Sequence, residues 1–339
     1  MRKPYLFLFA CCLGYSITAA AQLHGNLLVA NKGDHTLSIF DIPTQKQVAL
    51  LPVGEAPHEL AVSADGKTAV VCNYGAAVPG NTLTVINIAA RKKVRTISTG
   101  IYTRPHGIEF ISPNEVIVTS ETTRNLLQVN ITTGKIDLVI PTEQERSHMV
   151  AWSASDRMAY VSNINSGTVS AISLVEKKVL KQVSLSKGIE GIAVSPDGKE
   201  LWVANRDDST VTALNTKTWE TIAVMPAHAV AYRVKFLPDG QFAMVSNGSA
   251  GNMSVYNVQQ HKRVRDIDFR VLQYNAQPDA NGAMPVQAVP GGITVSEGSR
   301  YVFVSVTGYK LAAKIDVKDW RISGYFLTGN VPDGIYYAR

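Results

Sequence analysis

Residues Gly188 to Met225 read "GIEGIAVSPDGKELWVANRDDSTVTALNTKTWETIAVM". They divide into a strand "GIAVS", a turn "PDGK", a strand "LWVAN", a loop "RDDS", a strand "TVTALN", a turn "TKTW" and a strand "ETIAVM". The strands alternate or are β-branched, and Pro, Asp, Gly and Asn punctuate them. No long segment has helical periodicity. The pattern recurs along the chain. Anchored two residues before the first aliphatic of each copy, it picks out His58, His106, His148, Glu190, Tyr232, Gly291 and Asp333, at spacings of 48, 42, 42, 42, 59 and 42 residues. The two long spacings have visible causes: "YGAAVPGN" (Tyr74 to Asn81) lengthens one loop, and Arg270 to Pro290 is an insertion.

Four short strands per period of about 40 to 45 residues is the signature of a β-propeller. One such unit cannot bury both of its apolar faces, so the units must stack on one another. The termini imply closure. Gly25 to Gly54 lacks an inner strand, and Val331 to Arg339 supplies an inner strand with nothing after it. The expected fold is therefore all-β: a seven-bladed propeller of four-stranded blades over residues 22–339, with one blade shared by the two ends and residues 270–290 inserted between blades 6 and 7.

The opening "MRKPYLFLFACCLGYSITAAAQ" has a basic start, a short apolar run and a small-residue site at Ala19 to Ala21. It reads as a secretory signal peptide, residues 1–21. The run is too short for a membrane span, and Phe9 sits poorly for lipid attachment at Cys11. A periplasmic or secreted location follows. Cys72 is then the one cysteine left, so no internal disulfide forms and stability must come from a large core. Losing Arg2 and Lys3 takes the net charge from +6 to +4. With no run of five like charges, nucleic acid is not an expected partner despite a pI near 9.1. A monomer is expected.

At "YVSNINSGTVSAISL" (Tyr160 to Leu174) and "LWVANRDDSTVTALN" (Leu201 to Asn215) the sequence resembles the YVTN-repeat β-propellers. These are secreted or periplasmic seven-bladed proteins with the pattern V-S-P-D-G-x-x-x-Y-V-x-N followed by T-V-x-x-I. The resemblance spans essentially the whole chain after the signal peptide. It implies fold far more sharply than function, because one scaffold hosts many sites. The family includes cell-surface and binding proteins, and related propellers include lactonases, a lyase and the propeller of haem-containing nitrite reductases.

In a propeller the innermost strand lines a central channel, so the seven anchor residues form a ring at its mouth. His58, His106 and His148 from successive blades, with Glu190, are the donor types for a divalent transition metal. Glu190 or Asp333 would be the fourth ligand, and Glu190 the candidate base of a metal-dependent lyase, hydrolase (lactonase) or oxygenase. Equally, the repeat itself sets the histidine spacing, and His at this point can simply cap the strand. Arg104, Arg146, Arg206 and Arg233, with Tyr232 and Asp333, make an alternative site for a small anionic molecule, a peptide or a protein, since Arg suits carboxylate and phosphate. The competing reading is that each Arg pairs with an acid such as Glu145, Glu190, Asp207 or Asp208. Tyr74, Glu121 and Lys32 border the mouth.

A second ring of Asn31, Asn73, Ser120, Asn163, Asn205, Asn247 and Ser305 is expected to end the second strands by bonding local backbone. Cys72 and Trp202 are expected in the packing. No G-x-S-x-G elbow, P-loop or C-x-x-C-H motif occurs. The insertion 270–290 is either a lid on the mouth face or an unstructured excursion. A ligand-binding protein leads, with the metal-dependent enzyme and a cell-surface interaction module as alternatives.

Overall fold

A computed structural model describes residues 23–279 and 281–339. The expected signal peptide lies outside the described residues. Seven antiparallel four-stranded sheets form a closed ring. From blade 1 to blade 7 the inner strands are Pro332–Ala338, Pro57–Val62, Pro105–Ser112, Ser147–Ser153, Ile189–Val194, Ala231–Phe236 and Pro290–Val295. Each contacts its neighbours on both sides, and the last returns to the first. Blade 1 joins the C-terminal strand Pro332–Ala338 to three N-terminal strands, pairing Leu28 with Tyr336 and Val29 with Ile335. The ends of the chain thus close the ring by backbone hydrogen bonds, as the incomplete terminal units require.

The apolar core is divided, because the centre is a channel. Among the described residues there are seven buried clusters, and each mixes residues from two neighbouring blades. Cys72 packs with Val70 and Leu83 of its own blade and Val116 and Val118 of the next. Burial pushes its thiol well above the usual range, which leaves it an inert hydrophobe. Trp202 is wholly buried against Phe236 and Tyr256 of blade 6, at ring-centroid distances of 5.2 and 5.9 Å. Its indole N–H donates to Glu200 at 2.8 Å. The Asp-Gly hairpins turn as their sequence requires, with positive φ at Gly66, Gly198 and Gly240.

The second ring ends the second strands and bonds locally. Asn73 donates to Thr82 and Thr84 and accepts from the Gly54 N–H. One position differs from the expected ring. The strand Tyr301–Val306 ends on Val306, which faces Leu311 as Asn73 faces Thr82, so Ser305 lies one residue earlier. There its hydroxyl donates to the Asp333 carbonyl at 2.7 Å, as Ser162 does to Glu190 and Thr119 to His148. These three bonds tie a second strand to the mouth residue of the next blade.

The insertion leaves the outer strand of blade 6 as a short 3-10 helix, Phe269–Asn275, with Phe269 and Leu272 buried. The Gln277 side chain then donates to the carbonyls of Lys310 and Thr328 in blade 7. The described residues of the segment lie on the mouth face but fold outward over blade 7, and among them only Val289 reaches the mouth cavity. Because Trp202 fills an interface between blades, Trp202→Ala is expected to cost about 3–5 kcal/mol, read as a lower urea midpoint. A cost below about 1 kcal/mol would show that the blades do not depend on this contact.

Candidate functional site at the channel mouth

All seven mouth residues come together. Asp333, His58, His106, His148, Glu190, Tyr232 and Gly291 line one cavity of about 330 Å³. A backbone device repeated in every blade aims them there. The residue two before each mouth residue has positive φ: Ala56, Arg104, Arg146, Gly188, Val230, Val289 and Val331. Its carbonyl accepts the N–H of the residue just after the second strand, namely Tyr74, Glu121, Ile164, Arg206, Gly248, Thr307 and Lys32. The inner strand then bulges. Pro57 faces Asn73 but Leu60 faces Val71, so one extra residue sits between these pairs, and the same shift occurs in all seven blades. Such bulges re-aim side chains. Left-handed backbone is costly for β-branched Val230, Val289 and Val331, and it persists because the pinned turn dictates it.

The bulge also sets a floor beneath the ring. The residue after each mouth residue is Gly334, Glu59, Gly107, Met149, Gly191, Arg233 and Gly292, a near alternation of Gly and larger residues. A Cβ on Gly191 would stand 2.3 Å from the Tyr232 carbonyl, and one on Gly334 2.3 Å from that of His58. The glycines let adjacent blades approach, and the intervening side chains fill the channel. Arg233 reaches Glu59 across it, with Nε and Nη2 at 3.0 and 2.6 Å from Oε1.

Above this floor the imidazoles stack. Ring centroids are 4.6 Å apart for His58 and His106 and 3.8 Å for His106 and His148. Carboxylates hold the outer two: Asp333 is 2.6 Å from His58 Nδ1, and Glu121 contacts His148 Nδ1. Tyr74 donates to the other oxygen of Glu121, and Arg146 is 3.7 Å from it. In the next blade, Glu190 meets His148 Nε2 at 3.4 Å, Arg206 at 2.8 Å and Arg233 at 3.3 Å. Lys32 stands 4.0 Å from Asp333. Arg104 turns away from the ring: its guanidinium lies over the Tyr74 ring and donates to the carbonyls of Gly75 and Ala76. Tyr232 is half-buried against Gly248, where a Cβ would stand 2.5 Å from its ring.

These contacts set the protonation states. Burial, with repulsion from His148 and His58, drives His106 well below 6.5 and keeps it neutral. Burial also opposes charge on His148, but bonds to Glu121 and Glu190 outweigh it and raise its pKa. Glu190 is held at about 2, against the effect of burial, by His148, Arg233 and Arg206. Such a carboxylate is a weak base, which counts against the base role considered for it. Burial and Glu121 push Tyr74 up to about 12.

The compact donor cluster is His106, Glu121 and His148, whose candidate ligand atoms lie within 4.8 Å of one another. It differs from the expected set in two members: His58 is held by Asp333 and lies outside the cluster, and Glu190 is drawn to two guanidiniums while Glu121, which follows the second strand of blade 3, joins it. Glu59 had no place among the sequence candidates. Its signal was the Gly-and-larger alternation, but its partner Arg233 lies 174 residues away.

The shifts carry a pH signature. His148, raised above its ordinary 6.5, stabilises the fold fully below 6.5 and less as pH climbs through its folded value. Glu190, lowered from 4.5, stabilises fully above 4.5 and less as pH falls toward about 2. His106 stays neutral when folded, so stability drops as pH falls below 6.5 and the unfolded chain takes up the proton. His106→Gln is therefore expected to shrink the loss of melting temperature between about pH 7 and pH 5. Superimposable profiles for the two proteins would refute this.

No family model and no curated protein matches the chain. Among solved structures it is similar to a functionally unknown protein from Desulfotomaculum acetoxidans, with a TM-score of 0.76 and 14% identity over 93% of this chain and 99% of that one. At that identity the likeness bears on the fold alone.

Proposed function

We propose that this chain is an exported binding protein of the YVTN-repeat type, whose mouth cavity takes a small anion bearing a carboxylate or phosphate. One observation carries the reading: charge is sorted by depth. Side-chain exposure is 41% for Arg146 against 4% for its acid Glu121, 34% for Lys32 against 18% for Asp333, and 28% for Arg206 against 8% for Glu190. A solute entering from solvent meets cations first, with the acids behind them as counter-charges. Arg146 and Arg206 offer forked donors, Lys32 a point charge, and protonated His148 a further cation beside them. The cavity volume suits a small ligand. Support for export is the signal-like sequence of residues 1–21.

A second reading has one specific observation in its favour. His106 Nδ1 is buried without a partner beside Glu121 and His148, as a ligand to a divalent transition metal would be. That metal would have to displace the proton His148 shares with its two carboxylates. The two readings therefore have opposite pH dependence. Anion binding strengthens as pH falls and His148 is protonated, whereas metal uptake strengthens as pH rises.

Calorimetric titration with phosphate and with succinate tests the first reading. Arg206→Ala is expected to weaken binding about 10- to 100-fold, the equivalent of one charge-assisted bond. Absence of binding by either anion, or an affinity indifferent to Arg206 and Arg146, would reject it. Equilibrium dialysis against zinc tests the second: uptake should rise with pH and vanish in His106→Ala.

A further inference from the structure

The channel continues below the mouth site. Under the Glu59–Arg233 bridge lies a second cavity of about 310 Å³, reaching Pro196 in a hairpin turn at the opposite face. Met149, Val150, Ile192, Phe236 and Ile293 give it apolar walls. Three polar groups interrupt them: Glu109, Lys235 and Tyr336. Each lies three residues beyond a mouth residue on its own inner strand, in blades 3, 6 and 1, so all three stand at one level of the channel. The other four blades carry Ala61, Ala151, Ala193 and Thr294 there.

A half-buried acid and a half-buried amine on separate blades of the channel have each lost part of their hydration, which is expensive unless each has a partner. Among the described residues, the side chain of neither Glu109 nor Lys235 makes a hydrogen bond or an ion pair within 4.0 Å. They are close enough to bias one another. Burial raises Glu109 and Lys235 opposes that rise; burial would lower Lys235, and Glu109 raises it. Glu59, the other acid that acts on both groups, is committed to Arg233. The two charges face a shared gap, and the mouth site uses neither.

We propose that this lower cavity is a second ligand site for a small zwitterion with an apolar side chain, the chemistry of a free apolar amino acid. The ligand carboxylate meets Lys235, its ammonium meets Glu109, and its side chain replaces water against Met149, Ile192 and Phe236. Other ligand classes fit worse. A simple anion leaves Glu109 unpaired, a simple cation leaves Lys235 unpaired, and an apolar molecule desolvates both. A net-neutral ligand with two separated charges satisfies both groups, and the volume is at the small end of ligand sites.

The test is calorimetry on the purified full chain with leucine, methionine and phenylalanine. Leucine amide, 4-methylpentanoate and glycine are the analogues lacking one charge or the side chain. The three amino acids are expected to bind, and each analogue to bind at least tenfold more weakly. Lys235→Met and Glu109→Gln should each cost at least tenfold in affinity for the amino acids, while phosphate titration at the mouth stays as in the parent. No binding by any of the three amino acids, equal binding by the analogues, or binding that survives both substitutions would overturn the proposal. Run in excess phosphate so that the mouth is occupied, the analogue comparison needs no variant, so it decides the matter even if a substituted chain fails to fold.

Discussion

One backbone hydrogen bond, made seven times, organises this protein. The N–H after each second strand donates to the carbonyl of a left-handed residue two before the mouth residue. That bond joins the two loops of a blade that open on the mouth face. It also holds the inner strand in the register that produces its bulge, and the bulge turns two successive side chains toward the channel. The upper of these forms the ring and the lower the floor. The strain at Val230, Val289 and Val331 is the local cost of a geometry that the whole ring imposes.

Buried charge follows from that geometry. Seven strands converging on one axis leave a channel too narrow for a common core and too wide to close by backbone contact. Glycines at Gly107, Gly191, Gly292 and Gly334 admit the neighbouring strand, and Glu59, Met149 and Arg233 fill the space between. Arg233 bonds Glu59 and Glu190 together, so floor and ring form one network. Such a network is a weak source of net stability, because desolvation offsets the attraction. What it fixes is the position and protonation of each group. Glu121 and Glu190 hold the proton on His148 while its neighbour His106, 3.8 Å away, stays neutral. The same network divides the channel into two cavities of different chemistry, ionic above and with apolar walls interrupted by Glu109, Lys235 and Tyr336 below.

Much of this was legible along the chain. The spacing of 42 residues placed His106, His148 and Glu190 at one level, and the Asp-Gly turns, Cys72 and Trp202 took the roles their neighbours suggested. The register of blade 7 was harder, because Val306 stands where other blades have Asn or Ser and Ser305 beside it mimics them. Arg104 was misleading for a related reason. Its place two before His106 matches Arg146, but Tyr74 and the loop after it capture its guanidinium.

The sequence by itself determined the fold, because a repeat of four alternating strands with incomplete ends has one economical closure, seven blades with the first and last sharing a sheet. It also determined which residues ring the mouth, since register within a repeat is a one-dimensional property. Only the tertiary structure decided how those residues pair. Glu59 meets Arg233 from three blades away around the ring, Glu121 joins His106 and His148 in the compact cluster, and Glu109 shares a cavity with Lys235 without touching it. These relations depend on the diameter of the ring and on side chains converging from several blades, and neither is encoded in any single repeat.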